Sequence, residues 1–289
     1  MKPAQTLELN DLQAGIFNGA ANGTITRDIC KDPLDENRRR AVNHVPLSPI
    51  TFLERAAAVF PERLAVIYGE RRLTWSDMDA RCRRAALALQ RAGIGQQDVV
   101  ALMLANTPEM LELHFAVPLV GACLNPINVR LDACSISIIL AHGEVRLAVV
   151  DTEFERVIDE AISKLPDAAR STLHTILYVV DAELGEPSER SNRPTYEDAL
   201  RAVGPPLPFG AFPGPCDEWE TISLNYTSGT TGNPKGVQVH HRGAYLESMA
   251  NLLIWGVAEH PIYLWTLPVR SPLVSFRAVG LALLQSLKT

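Results

Sequence analysis

The sequence predicts an α/β fold in which helices flank a mostly parallel sheet. Continuous apolar runs such as 99–104 are typical of parallel strands that are covered on both faces. Helical patterns lie between successive runs, as βαβ crossovers require. The chain has 289 residues, 47% hydrophobic and 21% charged, which is enough to bury a large core.

The elements follow in order from local patterns. Gly69 and Glu70 supply a turn between two short strands. Thr74 stands where a helix N-cap is expected, and Pro108 suits the first turn of a later helix. The predicted elements are helix 52–60, strands 64–68 and 71–74, helix 75–92, strand 99–104, helix 108–120, strand 123–127, helix 132–141, strand 146–150, helix 153–164, strand 173–180, strand 220–226, helix 243–256 and buried strand 262–266.

Three parts of the chain differ in composition from these elements. Residues 1–44 form a polar lead-in that we expect to lack regular structure. Segment 185–194 is polar and charged, and 204–215 holds five prolines and three glycines, so we interpret both as surface loops. The predicted domains are therefore the lead-in, a main domain at 45–268 and a tail at 269–289.

Bulk composition excludes several classes of function. The net charge of −6 argues against nonspecific nucleic-acid binding, and none of the five cysteines forms a C-x-x-C pair that would indicate zinc. No apolar run is long enough to predict a transmembrane helix. We expect a cytoplasmic protein and no metal held by protein side chains, while mitochondrial and peroxisomal locations and the oligomeric state stay open.

The most informative motif is at 226–237, which reads Y-T-S-G-T-T-G-N-P-K-G-V. Glycines allow close approach of the backbone to a ligand, and hydroxyls and N–H groups can then point at anionic oxygens. Lys235 adds a mobile positive charge. The run is not a Walker A loop, because Gly236 follows Lys235 where that motif has Ser or Thr. We interpret it as a phosphate-binding loop rather than an ordinary solvated loop.

The run T-S-G-T-T-G-N-P-K-G resembles the signature loop of the adenylate-forming superfamily. The flanks at 46–56, 106–133, 240–245 and 263–268 resemble the medium-chain fatty-acyl-CoA synthetases and plant acyl-activating enzymes of that superfamily. This resemblance implies part of the N-terminal domain of the adenylate-forming fold. It also implies an ATP-dependent acid–CoA ligase that forms an acyl-adenylate and then an acyl thioester, with Mg²⁺, ATP, coenzyme A and a small carboxylic acid.

The resemblance also assigns roles to residues of the loop. Thr227, Ser228, Thr230 and Thr231 would donate hydrogen bonds to phosphate oxygens, and Gly229 and Gly232 would let the backbone approach. Lys235 would be the catalytic cation during adenylation. His240 and His241 follow the loop, and we interpret them as core or helix-entry residues, since neighbours on a strand face opposite sides and cannot ligate a metal together.

The resemblance ends at Pro268. Relatives continue there with an aromatic-His-Cys-Asn-Gly-Trp stretch, whereas this chain reads V-R-S-P-L-V-S-F-R-A. The family's later motifs and C-terminal domain are absent, so we expect an incomplete version that is inactive alone. A frameshift, a splice variant and a gene-model error stay open as origins of the tail. The alternatives in function are a non-catalytic nucleotide-binding isoform and a nonfunctional fragment.

Overall fold

A computed structural model describes residues 44–181, 193–227, 234–254, 256 and 261–266. The predicted lead-in up to residue 43 and the predicted tail at 269–289 lie outside these residues, as does most of the predicted loop 185–194.

The described residues form eight helices and eight strands. The helices are α1 (Ile50–Val59), α2 (Trp75–Arg91), α3 (Pro108–Leu119), α4 (Ala133–His142), α5 (Glu155–Ser163), α6 (Asp167–Thr172), α7 (Tyr196–Ala202) and α8 (His241–Ile254). The strands are β1 (Leu64–Tyr68), β2 (Arg71–Thr74), β3 (Val99–Met103), β4 (Cys123–Pro126), β5 (Val145–Asp151), β6 (Thr175–Val179), β7 (Thr221–Thr227) and β8 (Lys235–His240).

Six strands form one sheet in the order β6-β5-β3-β4-β7-β8. All neighbouring pairs are parallel except β7 and β8, which are antiparallel. The other two strands, β1 and β2, form a separate antiparallel hairpin. The prediction of an α/β fold with a mostly parallel sheet is confirmed.

Two hydrophobic cores cover the two faces of the sheet because side chains alternate along each strand. Val100 and Leu102 of β3 pack with α1, α2 and α3 on one face. Ala101 and Met103 pack with α4 and α5 on the other face. Strand β3 is therefore apolar along its whole length, as the sequence predicted.

Local signals explain the best predicted helix. Thr74 caps α2 through its side chain, which accepts from the Asp77 amide, and the Asp77 carboxylate accepts in return from the Thr74 amide. This reciprocal pair is a capping box, and it satisfies two backbone donors at the start of the helix. Gly93, at φ +81°, follows the helix where L side chains are disfavoured.

Three features of the fold were not predicted correctly. Helices α6 and α7 were missed, and residues Phe209–Ala211 form a 3₁₀ turn inside the proline-rich loop. Residues 262–266, predicted as a buried strand, are not in a strand, and Ile262 is 94% exposed. An apolar run becomes a buried strand only beside a partner edge, and within the described ranges this run pairs with none. No helix in those ranges is long and apolar enough to cross a membrane.

Candidate functional site

The candidate site lies at the end of β7, where the motif joins β7 to β8. Strand β7 runs parallel to β4, so its last residue, Thr227, is at the carboxyl edge of the parallel strands. Ligands of open α/β sheets bind outside this edge. The topology therefore places the motif where the fold class predicts a ligand.

Thr227 and Lys235 are brought together by strand pairing. Thr227 ends β7, Lys235 begins β8, and the two are direct partners in the antiparallel register. Directly opposed residues of an antiparallel pair present their side chains on the same face. Both residues are exposed, so a hydroxyl donor and an ammonium group are presented on one face of the hairpin and open to solvent. This pair can contact an anion such as a phosphate group.

The other residues predicted for this site lie outside the described residues. These are Ser228, Gly229, Thr230, Thr231 and Gly232.

The loop within the motif is shorter than the sequence predicted. Tyr226 belongs to β7 and 235–237 belong to β8, so the hairpin strands extend into both ends of the predicted loop 226–237. Gly236 lies opposite Tyr226, and a Cβ on Gly236 would lie 3.0 Å from Leu224 Cδ1 and 3.5 Å from the Tyr226 ring. Gly236 is thus required for close packing across the hairpin rather than for a turn.

Tyr226 contacts helix α4 through His142, the last residue of that helix. The Tyr226 hydroxyl oxygen and His142 Nδ1 are 2.7 Å apart. The two rings meet edge to face, with centroids 5.7 Å apart and an interplanar angle of 86°. Burial raises the pKa of Tyr226 to about 12, so the phenol is neutral at pH 7. The sequence did not indicate His142, which is 84 residues away from Tyr226.

A second histidine contact lies where β8 joins α8. His241 begins α8, and its Nδ1 is 2.7 Å from the Ser48 hydroxyl, with both residues only 1% exposed. Burial, with a smaller effect of His240, lowers the pKa of His241 to about 4, so the imidazole is neutral. Because neither group is accessible to solvent, we assign this contact a structural role. His240 ends β8 and His241 begins α8, so the premise that both lie on one strand was wrong, although a helix-entry position is what the structure shows.

A carboxylate reinforces the same junction. Glu218 accepts from the Leu47 amide at 3.0 Å and pairs with the Arg242 guanidinium at 2.7 Å. Glu218 is 3% exposed, whereas the Arg242 side chain is partly open to solvent. Together with the Ser48–His241 contact, the two Glu218 contacts fasten the segment before α1 to the start of α8, directly behind the hairpin.

No group of three or more His, Cys, Asp or Glu side chains in the described part of the chain is arranged as a metal site. The described residues of the hairpin thus offer donors for an anion rather than ligands for a cation.

Comparison with known proteins gives one consistent relationship. A family model described as AMP-binding enzyme matches residues 53–271. The peroxisomal acetate/butyrate–CoA ligase AAE7 of Arabidopsis thaliana is 40% identical over 242 residues, covering 82% of this chain and 42% of that protein. Acetate–CoA ligase CCL3 of Humulus lupulus is 41% identical over 253 residues, covering 86% of this chain and 43% of that protein.

Solved structures agree with the sequence matches. The inhibitor-bound N-terminal domain of FACL13 from Mycobacterium tuberculosis superposes with a TM-score of 0.64 and 26% identity, covering 82% of this chain and 55% of that one. The fold is thus that of the N-terminal domain of these enzymes. The chain spans about two fifths of the length of the curated relatives that it matches.

Proposed function

The chain belongs to the AMP-binding enzyme family, and from this premise we propose that its β7–β8 hairpin binds the phosphates of ATP for an acid–CoA ligase reaction. In that reaction a carboxylic acid attacks the α-phosphate of ATP, which gives an acyl-adenylate and pyrophosphate. The thiol of coenzyme A then displaces AMP and forms the thioester. The domain carrying the hairpin would comprise residues 45–268.

One observation carries this proposal. Thr227 and Lys235 are paired in register, exposed, and located at the carboxyl edge of the parallel strands. A buried pair, or a pair on opposite faces, would not be available to a nucleotide. The exposed ammonium and hydroxyl groups fit a polyphosphate, which is the charged part of ATP.

The chemical difficulty of the proposed reaction is repulsion between negative groups. A carboxylate must approach a polyphosphate, and fixed donors must neutralise charge that develops on the phosphoryl oxygens. We assign that role to Lys235, with the hydroxyls of Thr227, Ser228, Thr230 and Thr231 as further donors. Gly229 and Gly232 would leave room for the phosphates.

Mg²⁺, when bound, would add positive charge at the same oxygens. Since the described residues offer no cluster of metal ligands, we assign no protein ligand to it.

The acid is proposed to be a short- or medium-chain carboxylic acid. Support comes from the relatives, which include an acetate/butyrate–CoA ligase and an acetate–CoA ligase. We propose a cytoplasmic location for this chain, although its relative AAE7 is peroxisomal. Expression of the chain with a fluorescent tag at either end would test the location.

The proposal is tested by titrating the purified 289-residue chain with ATP in a calorimeter, and by measuring pyrophosphate release with butyrate as the acid. Lys235→Ala should weaken ATP binding at least about tenfold and lower any adenylation rate by about 10²–10³-fold, the range seen when one preorganised donor to a transition state is removed. The matched control is Lys164→Ala, which removes an exposed lysine paired with Glu160 on α5.

The outcomes separate the alternatives. ATP binding that Lys235→Ala weakens and Lys164→Ala leaves unchanged supports the assignment. ATP binding without pyrophosphate release favours the non-catalytic nucleotide-binding module. Equal ATP binding and pyrophosphate release by Lys235→Ala and the parent chain would contradict the role given to Lys235.

A further inference from the structure

The carboxyl end of β7 is weakly held by backbone pairing to the rest of the sheet. The parallel ladder between β4 and β7 has one registered pair, Leu124 with Ser223. Beyond Ser223, over the described residues, the register of β7 is with β8, whose residues 235–238 are exposed. Side chains must therefore hold the end of this hairpin against the domain.

Tyr226 and His142 form such a side-chain connection. Tyr226 immediately precedes Thr227, and its hydroxyl lies 2.7 Å from Nδ1 of His142. The edge-to-face contact of the rings fixes their relative angle as well as their distance. Helix α4 belongs to the covered part of the sheet, where Ile136 and Ile139 are fully buried. The contact thus links the hairpin end to a firmly packed helix.

Gly143 makes this approach possible. A Cβ on Gly143 would lie 3.1 Å from Asn125 Nδ2 and 3.4 Å from the Tyr226 hydroxyl. Asn125 is fully buried in β4, and neither of its amide atoms has a hydrogen-bond partner among the described residues. The end of α4 therefore fits closely against both β4 and the Tyr226 hydroxyl, and a Cβ at Gly143 would require its neighbours to shift.

We propose that His142 is a positioning residue for the nucleotide site. By fixing the Tyr226 side chain, it fixes the backbone that carries the Thr227 hydroxyl, opposite Lys235. His142 itself touches no nucleotide in this role and acts through Tyr226. The inference rests on the proposed binding of phosphates at this hairpin, and it adds a residue of α4, outside the motif, that sets the affinity for them.

The test compares ATP with AMP as ligands of the 289-residue chain. The variants are His142→Ala, Tyr226→Phe, the double variant and His142→Gln, and each is titrated with both nucleotides. Loss of one hydrogen bond predicts about three- to tenfold weaker ATP binding in either single variant. AMP lacks the β- and γ-phosphates that the hairpin would contact, so its dissociation constant should change less than about twofold, well below that loss.

Two further results are expected if the two side chains act as one unit. The double variant should bind ATP no more weakly than the single variants, since the same contact is removed each time. His142→Gln keeps a hydrogen-bonding group and should recover part of the affinity.

Gly143→Ala should also weaken ATP binding selectively, because its Cβ would lie 3.0 Å from Ile139 O and 3.1 Å from Asn125 Nδ2, so the end of α4 that carries His142 would have to shift. Gly210→Ala is the matched control, since a Cβ there meets no atom within 4 Å.

Each result bears on a different claim. Selective loss for ATP, shared and non-additive between His142 and Tyr226, supports the positioning role. An equal loss for ATP and AMP, or no loss in His142→Ala while the parent chain binds ATP, overturns the positioning role alone. Failure of the parent chain to bind ATP overturns the proposed function and the positioning role together.

Discussion

The interior strands β3 and β5 and the hairpin β7–β8 belong to one sheet but differ in what covers them. Residues 100–103 of β3 and 147–151 of β5 are buried between helices on both faces. Residues 235–238 of β8 are exposed, and Val237 is 46% accessible. The buried strands therefore supply stability, whereas the exposed edge carries the proposed phosphate site, so substitutions should affect one without the other.

The largest expected effect on stability is at a buried ion pair in the part of the molecule where helices cover the sheet. Arg81 Nε is 2.5 Å from Glu112 Oε1, and Glu112 is fully buried. Arg81→Met leaves this carboxylate without its cation, so we expect the free energy of unfolding to fall by about 3–5 kcal/mol, as measured by urea denaturation at pH 8.

Two controls sharpen this prediction. Arg81→Met combined with Glu112→Gln should recover part of the loss, because the buried charge is then removed. Burial raises the pKa of Glu112 to about 7 in spite of Arg81. Ionisation of Glu112 therefore lowers the free energy of unfolding as the pH rises. Arg81→Met should accordingly lose less stability at pH 5 than at pH 8. A loss below about 1 kcal/mol at pH 8 would contradict the role of the pair.

The second largest effect is a loss of stability at low pH, caused by His241 where β8 joins α8. Since burial lowers the pKa of His241 to about 4, the stability that it contributes is present above its unfolded pKa of about 6.5 and is lost as the pH falls toward 4. The free energy of unfolding should fall by about 2–3 kcal/mol over that range from this group alone.

The measurement is urea unfolding at several pH values between 7 and 4.5. His241→Gln should flatten the dependence in part, because buried His114, whose pKa is also lowered to about 4 by burial, has the same sign. His174→Gln, at an exposed histidine, is the control and should leave the curve unchanged. A curve for His241→Gln that matches the parent would show that His241 does not cause the sensitivity.

A smaller effect is expected at the cap of α2, again in the covered region. Thr74→Ala removes the acceptor for the Asp77 amide and should lower the free energy of unfolding by about 1 kcal/mol. Thr74→Ser keeps the hydroxyl and should be close to the parent protein. Thermal unfolding followed by circular dichroism would measure both, and an equal melting temperature for Thr74→Ala and the parent would refute the cap's contribution.

The smallest effect on stability is expected on the hairpin itself. Val237→Thr should change the free energy of unfolding by less than about 0.5 kcal/mol, because the side chain is exposed. It should also reduce association between chains, which dynamic light scattering would detect, since apolar exposed edge strands promote pairing. Val149→Thr, at a fully buried residue of β5, is the matched contrast and should destabilise far more. Similar losses in the two variants would remove the distinction between the regions.

Much of the fold could be predicted because its signals are local. Helix α2 was predicted to within one residue, since Thr74 and Gly93 mark its ends. Helix α7 lies between two irregular segments and was not predicted. Its N-cap residue, Thr195, accepts a hydrogen bond from the Asp198 amide. Strand 262–266 was wrong because burial depends on a partner edge, and hydrophobicity alone does not supply one.

The candidate site also has one part that the sequence predicted and another that it could not predict. The motif located the hairpin, but the pairing of Thr227 with Lys235 follows from strand register and could not be read from composition. His142 reaches Tyr226 across 84 residues, and Ser48 reaches His241 across 193. Contacts of this kind depend on the finished topology, so no local pattern indicates them.

The strand order also has a consequence for the way this chain folds. Strands β3 and β4 pair residues about 25 positions apart, whereas Leu124 of β4 and Ser223 of β7 are about 100 positions apart, two doublings of loop length that add about 1.2 kcal/mol of closure entropy. Non-local pairings of this kind form slowly. The β7–β8 hairpin is therefore expected to join the sheet after its neighbours have assembled, so the surface on which it docks is finished before it arrives.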